Sequence, residues 1–321
     1  MSTRASGTLI RGLITATLLV LLIYHLDLKA LSSTLSSIRL WILIPAFFVQ
    51  LGIMLIAARR WQIILTNFGI THRYRYLLRL FWIGSFFNQF LPSTIGGDMV
   101  RTYYLAKEKN VSMATTLTAS LLERSGGLGA LLLIGFAATW IGEVSIEGVP
   151  VLLVYLVLGL IYILANLVLF NPHLHRLISR VLHRFHLDRL NAKFEMVYAG
   201  LHTLSRNVKA LVLALALSLC MQFMAVVIVS ICSRALHLEI PFSVFLVFVP
   251  LINLSIMVPL TINGFGLRES IYLLLFSQTG LPEETAVALS LVSVSVVMAS
   301  ALPGGVLYVL YKRKGRSSIE S

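Results

Sequence analysis

The chain has 321 residues, of which 58% are hydrophobic and only 12% charged, and its mean hydropathy is +0.88. So little charge excludes a soluble globular domain, and apolar runs close to the roughly 20 residues that a helix needs to cross the hydrocarbon core exclude the short alternating strands of an outer-membrane barrel. The formal net charge of +13 is accounted for by basic cytoplasmic loops, so no nucleic-acid partner is inferred.

The expected fold is all-α, a polytopic transmembrane helical bundle forming a single integral membrane domain over 1–321. A first span covers about 8–26. Arg4 and Arg11 could open a signal peptide, but Asp27 and Lys29 crowd the cleavage-like Ala30-Leu31-Ser32, which favours a retained anchor. A second span covers about 40–58. Arg59, Arg60, Arg73, Arg75 and Arg79 come after it without an acid, which marks a cytoplasmic loop and places the N-terminus on the same side.

Residues 77–92 are apolar and aromatic but stop at Pro92, and a short helix over 99–107 comes next. Both flanks are basic, so 77–108 reads as a re-entrant hairpin entered from the cytoplasm. A third span, about 112–141, leads to the loop Gly142-Glu143-Val144-Ser145-Ile146-Glu147, which is acidic and so external. A fourth span, about 151–170, returns the chain to a basic cytoplasmic segment, 171–207.

Within that segment Leu174, Leu177, Ile178, Val181, Leu182 and Phe185 share a helical face, while Arg176, Arg180 and Arg184 repeat every four residues on another. Such a helix lies on an anionic membrane surface or packs, as a hairpin, on the bundle. His173, His175, His183, His186 and His202 match no recognised metal-ligand spacing, so no metal is expected.

A fifth span covers about 208–233. Its Cys220 and Cys232 stand about 18 Å apart along a helix axis and cannot bridge within it. The next apolar run, 242–258, stops at Pro259, and a second short helix runs from about Leu267 to Thr279. Acidic Glu283 and Glu284 come next, then a last span over about 285–311 and a basic tail, which is cytoplasmic. Counting back from that tail, 242–279 starts and ends outside, a second re-entrant hairpin of opposite sense. Pro303-Gly304-Gly305 in the last span reads as a kink or packing notch.

The two breaks share a pattern. Pro92, Thr94, Ile95, Gly97 and Arg101 superpose in spacing on Pro259, Thr261, Ile262, Gly264 and Arg268. Inverted pairs of broken helices are a transporter signature, with the binding site near the membrane midplane. A helix start offers free N–H groups, so the turns at Gly96-Gly97 and at Gly264-Phe265-Gly266 are candidate anion sites. Arg101 and Arg268 come just after them, each able to fork onto a phosphate, and two such forks facing each other would suit a phosphodiester. The plainer reading pairs Asp98 with Arg101 at i, i+3, and lets Glu269 balance Arg268.

Glu123 and Arg124 lie inside the third span, where an ionisable residue is costly and needs a mate. Adjacent on a helix, they point about 100° apart and require different ones. Arg101, Asp98, Arg268 and Glu269 are available, and a purely structural tie between helices is the competing role. Gly126, Gly127 and Gly129 are close behind and let another helix approach closely.

Asn88, Pro92, Ile95-Gly96-Gly97-Asp98 and Arg101, then Glu123-Arg124, then Pro259 and Asn263-Gly264-Phe265-Gly266-Leu267-Arg268-Glu269, resemble the lysylphosphatidylglycerol synthase transmembrane-region family of flippase-like membrane proteins. The resemblance covers nearly the whole chain and implies movement of lipids, notably aminoacylated phosphatidylglycerol, between leaflets. It departs in two respects: Asn263 stands where Gly is common, and the large soluble aminoacyl-transfer domain of the full synthases is missing from this sequence, so the resemblance implies the transport half alone.

The function expected is a lipid transporter of the inner or plasma membrane that binds an anionic phospholipid or lipid-linked phosphate. The expected substrate-binding residues are Pro92, Gly96, Gly97, Asp98, Arg101, Glu123, Arg124, Gly264, Gly266, Arg268 and Glu269. No cofactor is expected, and no Gly-rich, Lys-containing nucleotide motif occurs. Two alternatives come from other classes: a membrane enzyme acting on a polyprenyl-phosphate or phospholipid with Asp98 or Glu123 as base, and a scaffold for a lipid-modifying partner using the basic segment. Homo-oligomerisation is left open.

Overall fold

In the computed structural model α1 (Ser2–His25) is followed, after a bend of 89°, by the short α2 (Leu28–Ser36). The structure describes residues 2–90, 96–140, 145, 146, 148–184, 187–205, 207–258 and 260–317. The apolar pattern of the sequence does not anticipate α2. Its start is fixed by Asp27, whose carboxylate accepts from the backbone N–H of Lys29 at 2.8 Å and of Ala30 at 3.3 Å, as a helix cap does.

A short 3₁₀ turn, Leu40–Ile42, leads into α3 (Leu43–Asn67). This helix overruns the expected span by nine residues, so Arg59 and Arg60 are helical and not loop residues. The cause is the apolar stretch beyond the two arginines: Trp61, Ile64 and Leu65 are fully or almost fully buried, and their packing carries the helix past both cations.

The first broken-helix hairpin is α4 (Tyr74–Phe90) and α5 (Gly96–Lys109). Pro92, with the rest of 91–95, lies outside the described residues, as do Pro259 and, in the expected external loop, 141–144 and 147. The hairpin is antiparallel, since His72 just before α4 meets Glu108 at the end of α5 at 3.2 Å. Its two arms cross backbone to backbone: a methyl group on Gly97 would collide with the Gly84 carbonyl oxygen and with Asn88.

Next come α6 (Met113–Ala138), capped by the Ser112 hydroxyl, and a two-residue β-pairing of Ser145–Ile146 with Val149–Pro150. Then α7 (Val151–Phe170) packs on α6 through tyrosines set against glycines, Tyr155 at Gly135 and Tyr162 at Gly129. The basic segment forms α8 (Pro172–Arg184) and α9 (Asp188–Ser205). The ring of His175 stacks on Tyr198 at 3.7 Å and bonds Glu195 at 3.0 Å, which ties α8 to α9. Gly200 sets α9 against Thr118 of α6. The outer side of α8 keeps Leu177 and Val181 exposed along with Arg176, Arg180 and Arg184.

After α10 (Val208–Ala235) the second broken hairpin, α11 (Phe242–Met257) and α12 (Leu267–Phe276), leads to α13 (Glu283–Ser317). Phe276 at the end of α12 packs on Phe245 and Phe248 near the start of α11, so this hairpin is also antiparallel. Gly304 and Gly305 do not end α13; they form the notch that receives Trp82 and Phe86 of α4.

Contacts between helix ends sort them onto two faces. Glu283 at the start of α13 meets His25 at the end of α1 at 3.1 Å, and Arg39 N–H donates to Ala235 at the end of α10. On the other face Tyr311 of α13 meets Glu108 of α5 and Tyr76 of α4. The α4–α5 hairpin thus opens on the Tyr311 face, and α11–α12, which lies between the end of α10 and the start of α13, opens on the Glu283 face. The expected inversion of the two hairpins is present.

Helices over Leu40–Asn67, Met113–Ala138, Val208–Ala235 and Glu283–Tyr311 are long and apolar enough to cross a membrane, and α1 qualifies with the bent α2. The described apolar part of α7, Val151–Leu167, is shorter. Two apolar cores result. One gathers α10, α11, α12 and the first half of α13 around Phe245, Phe248 and Phe276. The other gathers α3, α4 and α5 around Trp61, Leu77, Leu80 and Leu105.

Candidate functional site

The break between α11 and α12 is built from three residues with positive φ: Asn263 at 54°, Gly264 at 78° and Gly266 at 80°. Asn is among the few residues with a side chain that tolerate this backbone. Here the repeat is imperfect. In the alignment of the two motifs α5 starts at Gly96, but α12 starts at Leu267, the counterpart of Val100. Gly97 is helical where Gly264 is not, so Arg101 stands a full turn deeper in its helix than Arg268 does.

Both helix starts have their own caps. The N–H of Gly97 donates to the Asn88 side-chain oxygen at 2.8 Å. The N–H of Gly266 donates to Glu269 Oε2 at 2.7 Å, the return half of a capping box. Donors expected to face a phosphate are therefore occupied at these two positions, and Glu269 is a cap that also accepts from Ser290 Oγ at 3.2 Å.

Between α3, α5 and α6 lies a buried network of charge. Arg101 Nη2 reaches Glu123 Oε2 at 2.6 Å and Asp98 Oδ1 at 3.0 Å. The other oxygen of Asp98 accepts from Arg124 Nη2 at 2.6 Å and Nε at 2.8 Å. Glu123 Oε1 lies 3.5 Å from Arg60 Nη2, and Arg60 Nη1 donates to Ser218 Oγ of α10 at 2.7 Å. Four expected residues, Asp98, Arg101, Glu123 and Arg124, are brought together, and Glu123 and Arg124 take separate mates as their divergence on the helix requires.

Arg101 is closed in. Its guanidinium lies 4.5 Å from the ring centre of Trp61 and 4.7 Å from that of Phe81, and the residue is 4% exposed. Two aromatic faces cover a cation whose Nε and Nη1 have no hydrogen bond among the described residues, and both atoms are buried. Its position suits a tie between α5, α6 and α3.

Arg60 is the member that the sequence expectation omits. It lines, with Glu123 and Ser218, a cavity of about 310 Å³. Half-buried Asn166, Leu211 and Leu215 line its α7 and α10 side, and Tyr162 and Gly126 complete the wall. The signal that could have found Arg60 is the apolar run resuming directly after it: a span that continues past a charge buries that charge.

Arg268 does not join this network. It lines a second cavity, of about 100 Å³, with Gln50, Asn253, Tyr272 and Ser293. Gln50 and Arg60 stand ten positions apart on α3, about 15 Å along its axis, so the two arginines expected to face each other serve different sites.

Similarity to known proteins extends over most of the chain. The family described as the lysylphosphatidylglycerol synthase TM region matches residues 8–306. A UPF0104 membrane protein of Methanocaldococcus jannaschii is 25% identical over 290 residues, covering 84% of this chain and 85% of the relative. No solved structure matches.

Proposed function

From its membership of the lysylphosphatidylglycerol synthase transmembrane-region family, to which the chain belongs, we propose that this integral membrane protein binds the phosphate of an anionic phospholipid or lipid-linked phosphate beside Arg60 and moves it between leaflets. One observation carries the reading. Among the described residues the network sets three arginines, Arg60, Arg101 and Arg124, against two carboxylates, Asp98 and Glu123, so its cations outnumber its acids.

An excess charge inside a membrane span is expensive unless a partner or water meets it. Arg60 lines the cavity, and its Nε makes no hydrogen bond among the described residues. A singly charged phosphodiester would neutralise the network and accept from this fork. The apolar wall of Ile64, Leu122, Leu211, Ala214 and Leu215 suits the glycerol and upper acyl carbons, and the α7–α10 side is the proposed entrance from the bilayer. Asp98, Arg101 and Arg124 then act as the frame that holds Glu123 and Arg60 in place.

The proposed location is the cell membrane, with both termini in the cytoplasm, because the Tyr311 face carries the basic loops and tail. The test is leaflet exchange of headgroup-labelled phosphatidylglycerol in liposomes containing the purified protein. Exchange above protein-free liposomes, lost in Arg60→Gln, supports the reading. Wild-type exchange equal to the protein-free rate overturns it, and recovery of a chemically altered lipid would assign an enzyme instead.

A further inference from the structure

We propose that the cavity at Arg268 is a binding site for a small inorganic anion of halide size, separate from the lipid cavity at Arg60. The site is bounded by Gln50 of α3, Asn253 of α11, Arg268 and Tyr272 of α12 and Ser293 of α13. Every polar group among these can donate a hydrogen bond, and no acid lines the cavity.

Three of them lack protein partners. Arg268 makes no side-chain hydrogen bond or ion pair among the described residues, and its Nη1 is fully buried. Gln50 is only 7% exposed, yet its amide bonds nothing among the described residues, and the same holds for Asn253. A buried amide, and a guanidinium on a half-buried residue with its Nη1 buried and unbonded, are costly in this state, and together they call for an acceptor that carries charge. Glu269 turns elsewhere: its oxygens accept from the Gly266 N–H and from Ser290, and it forms no ion pair with Arg268 among the described residues.

Size selects the anion. About 100 Å³ holds roughly three waters at about 30 Å³ each, room for a halide with one or two waters and not for a glycerophosphate with its chains. Apolar Ile228, Val229, Val249 and Ile252 also line it, and low-dielectric walls strengthen the attraction of Arg268 for one negative charge. The inference does not depend on the lipid reading, since the two cavities share no lining residue.

The experiment monitors thermal unfolding of the full chain in nanodiscs of zwitterionic lipid, while chloride replaces gluconate at constant ionic strength. Wild-type Tm should rise with the logarithm of chloride above Kd, by about 3 °C at tenfold Kd. Arg268→Gln should abolish the rise and Arg60→Gln should keep it. If Arg268→Gln fails to fold, Asn253→Asp places a fixed negative charge in the cavity and should remove the response in its stead. Absence of any rise in the wild type overturns the proposal, as does an equal rise in Arg268→Gln or Asn253→Asp. A Tm that responds to added phosphatidylglycerol through Arg268, with no response to chloride, gives the site to a lipid headgroup and also overturns it.

Discussion

Asn263 and Gln89 join the two broken hairpins: the Asn263 side-chain N–H donates to the Gln89 carbonyl at 2.7 Å. Gln89 belongs to the last turn of α4, where carbonyls have no partner within the helix. Asn263 sits at the open break before α12. The two breaks, entering from opposite faces, therefore meet and one satisfies the other's frayed end.

Asn263→Gly keeps the positive φ and loses this bond, so it should lower stability by about 1 kcal/mol. Asn263→Ala loses the bond and also strains the backbone, and should cost about 2 kcal/mol or more. Thermal unfolding of the two variants in one detergent orders them. Equal losses would mean that backbone conformation contributes nothing at this position.

Replacing Arg101 and replacing Arg60 should have different consequences, although both touch Glu123. Arg101→Ala strips the closed side of the network and leaves Asp98 and Glu123 short of a cation between Trp61 and Phe81. That loss should cost about 3–5 kcal/mol and show as poor recovery of folded protein. Arg60→Gln keeps a donor near Ser218 and removes the excess charge. The protein should stay folded with lipid exchange down at least about tenfold, the equivalent of about 1.4 kcal/mol. A folded, inactive Arg101→Ala together with a fully active Arg60→Gln would exchange their roles.

Gly97 offers a test of the hairpin crossing. A methyl group there meets the Gly84 carbonyl and the Asn88 backbone, none of which is a flexible side-chain end, so α5 must move off α4. Gly97→Ala should cost about 3 kcal/mol or more, in the range of severe overpacking. Gly126→Ala is the control: its nearest neighbour would be Ser218 Oγ at 3.7 Å, an ordinary contact. Comparable melting temperatures for the two variants would show that the arms are not pinned at this point.

Much of this was legible in the sequence because membrane helices announce themselves by length and polarity. The two breaks, their inversion and the need of Glu123 and Arg124 for separate mates can be derived from apolar runs, loop charge and the cost of burying ions; the choice of α5 over α12 as their partner cannot. What escaped depends on packing. The apolar pattern ends α3 at the first arginine, although Trp61 and Leu65 carry the helix and its charge inward. Arg101 and Arg268 match in spacing, but a one-turn offset in where their helices start puts Arg101 in the closed charge network and Arg268 beside a separate cavity, and no periodicity encodes that offset. The short α2 is set by a single Asp cap, too local a signal to stand out beside an apolar span.

The face assignment leads to a labelling result. Glu283 shares a face with His25, and Glu108 shares the opposite face with His72 and Tyr311. Both carboxylates are partly solvent-accessible at 42% and 40% of their side-chain area, so cysteines at these sites should react with a membrane-impermeant maleimide. The chain's own cysteines complicate the background: Cys232 is buried, but Cys220 is exposed on the apolar side of α10, so it is first replaced by serine. In intact cells Glu283→Cys should label from outside and Glu108→Cys only after permeabilisation, because the basic residues gather on the Glu108 face and such residues stay in the cytoplasm. Reversed accessibility would keep the fold and invert its orientation. Labelling of both from one side would separate α5 from α13 across the bilayer and break the inverted pairing of the two hairpins.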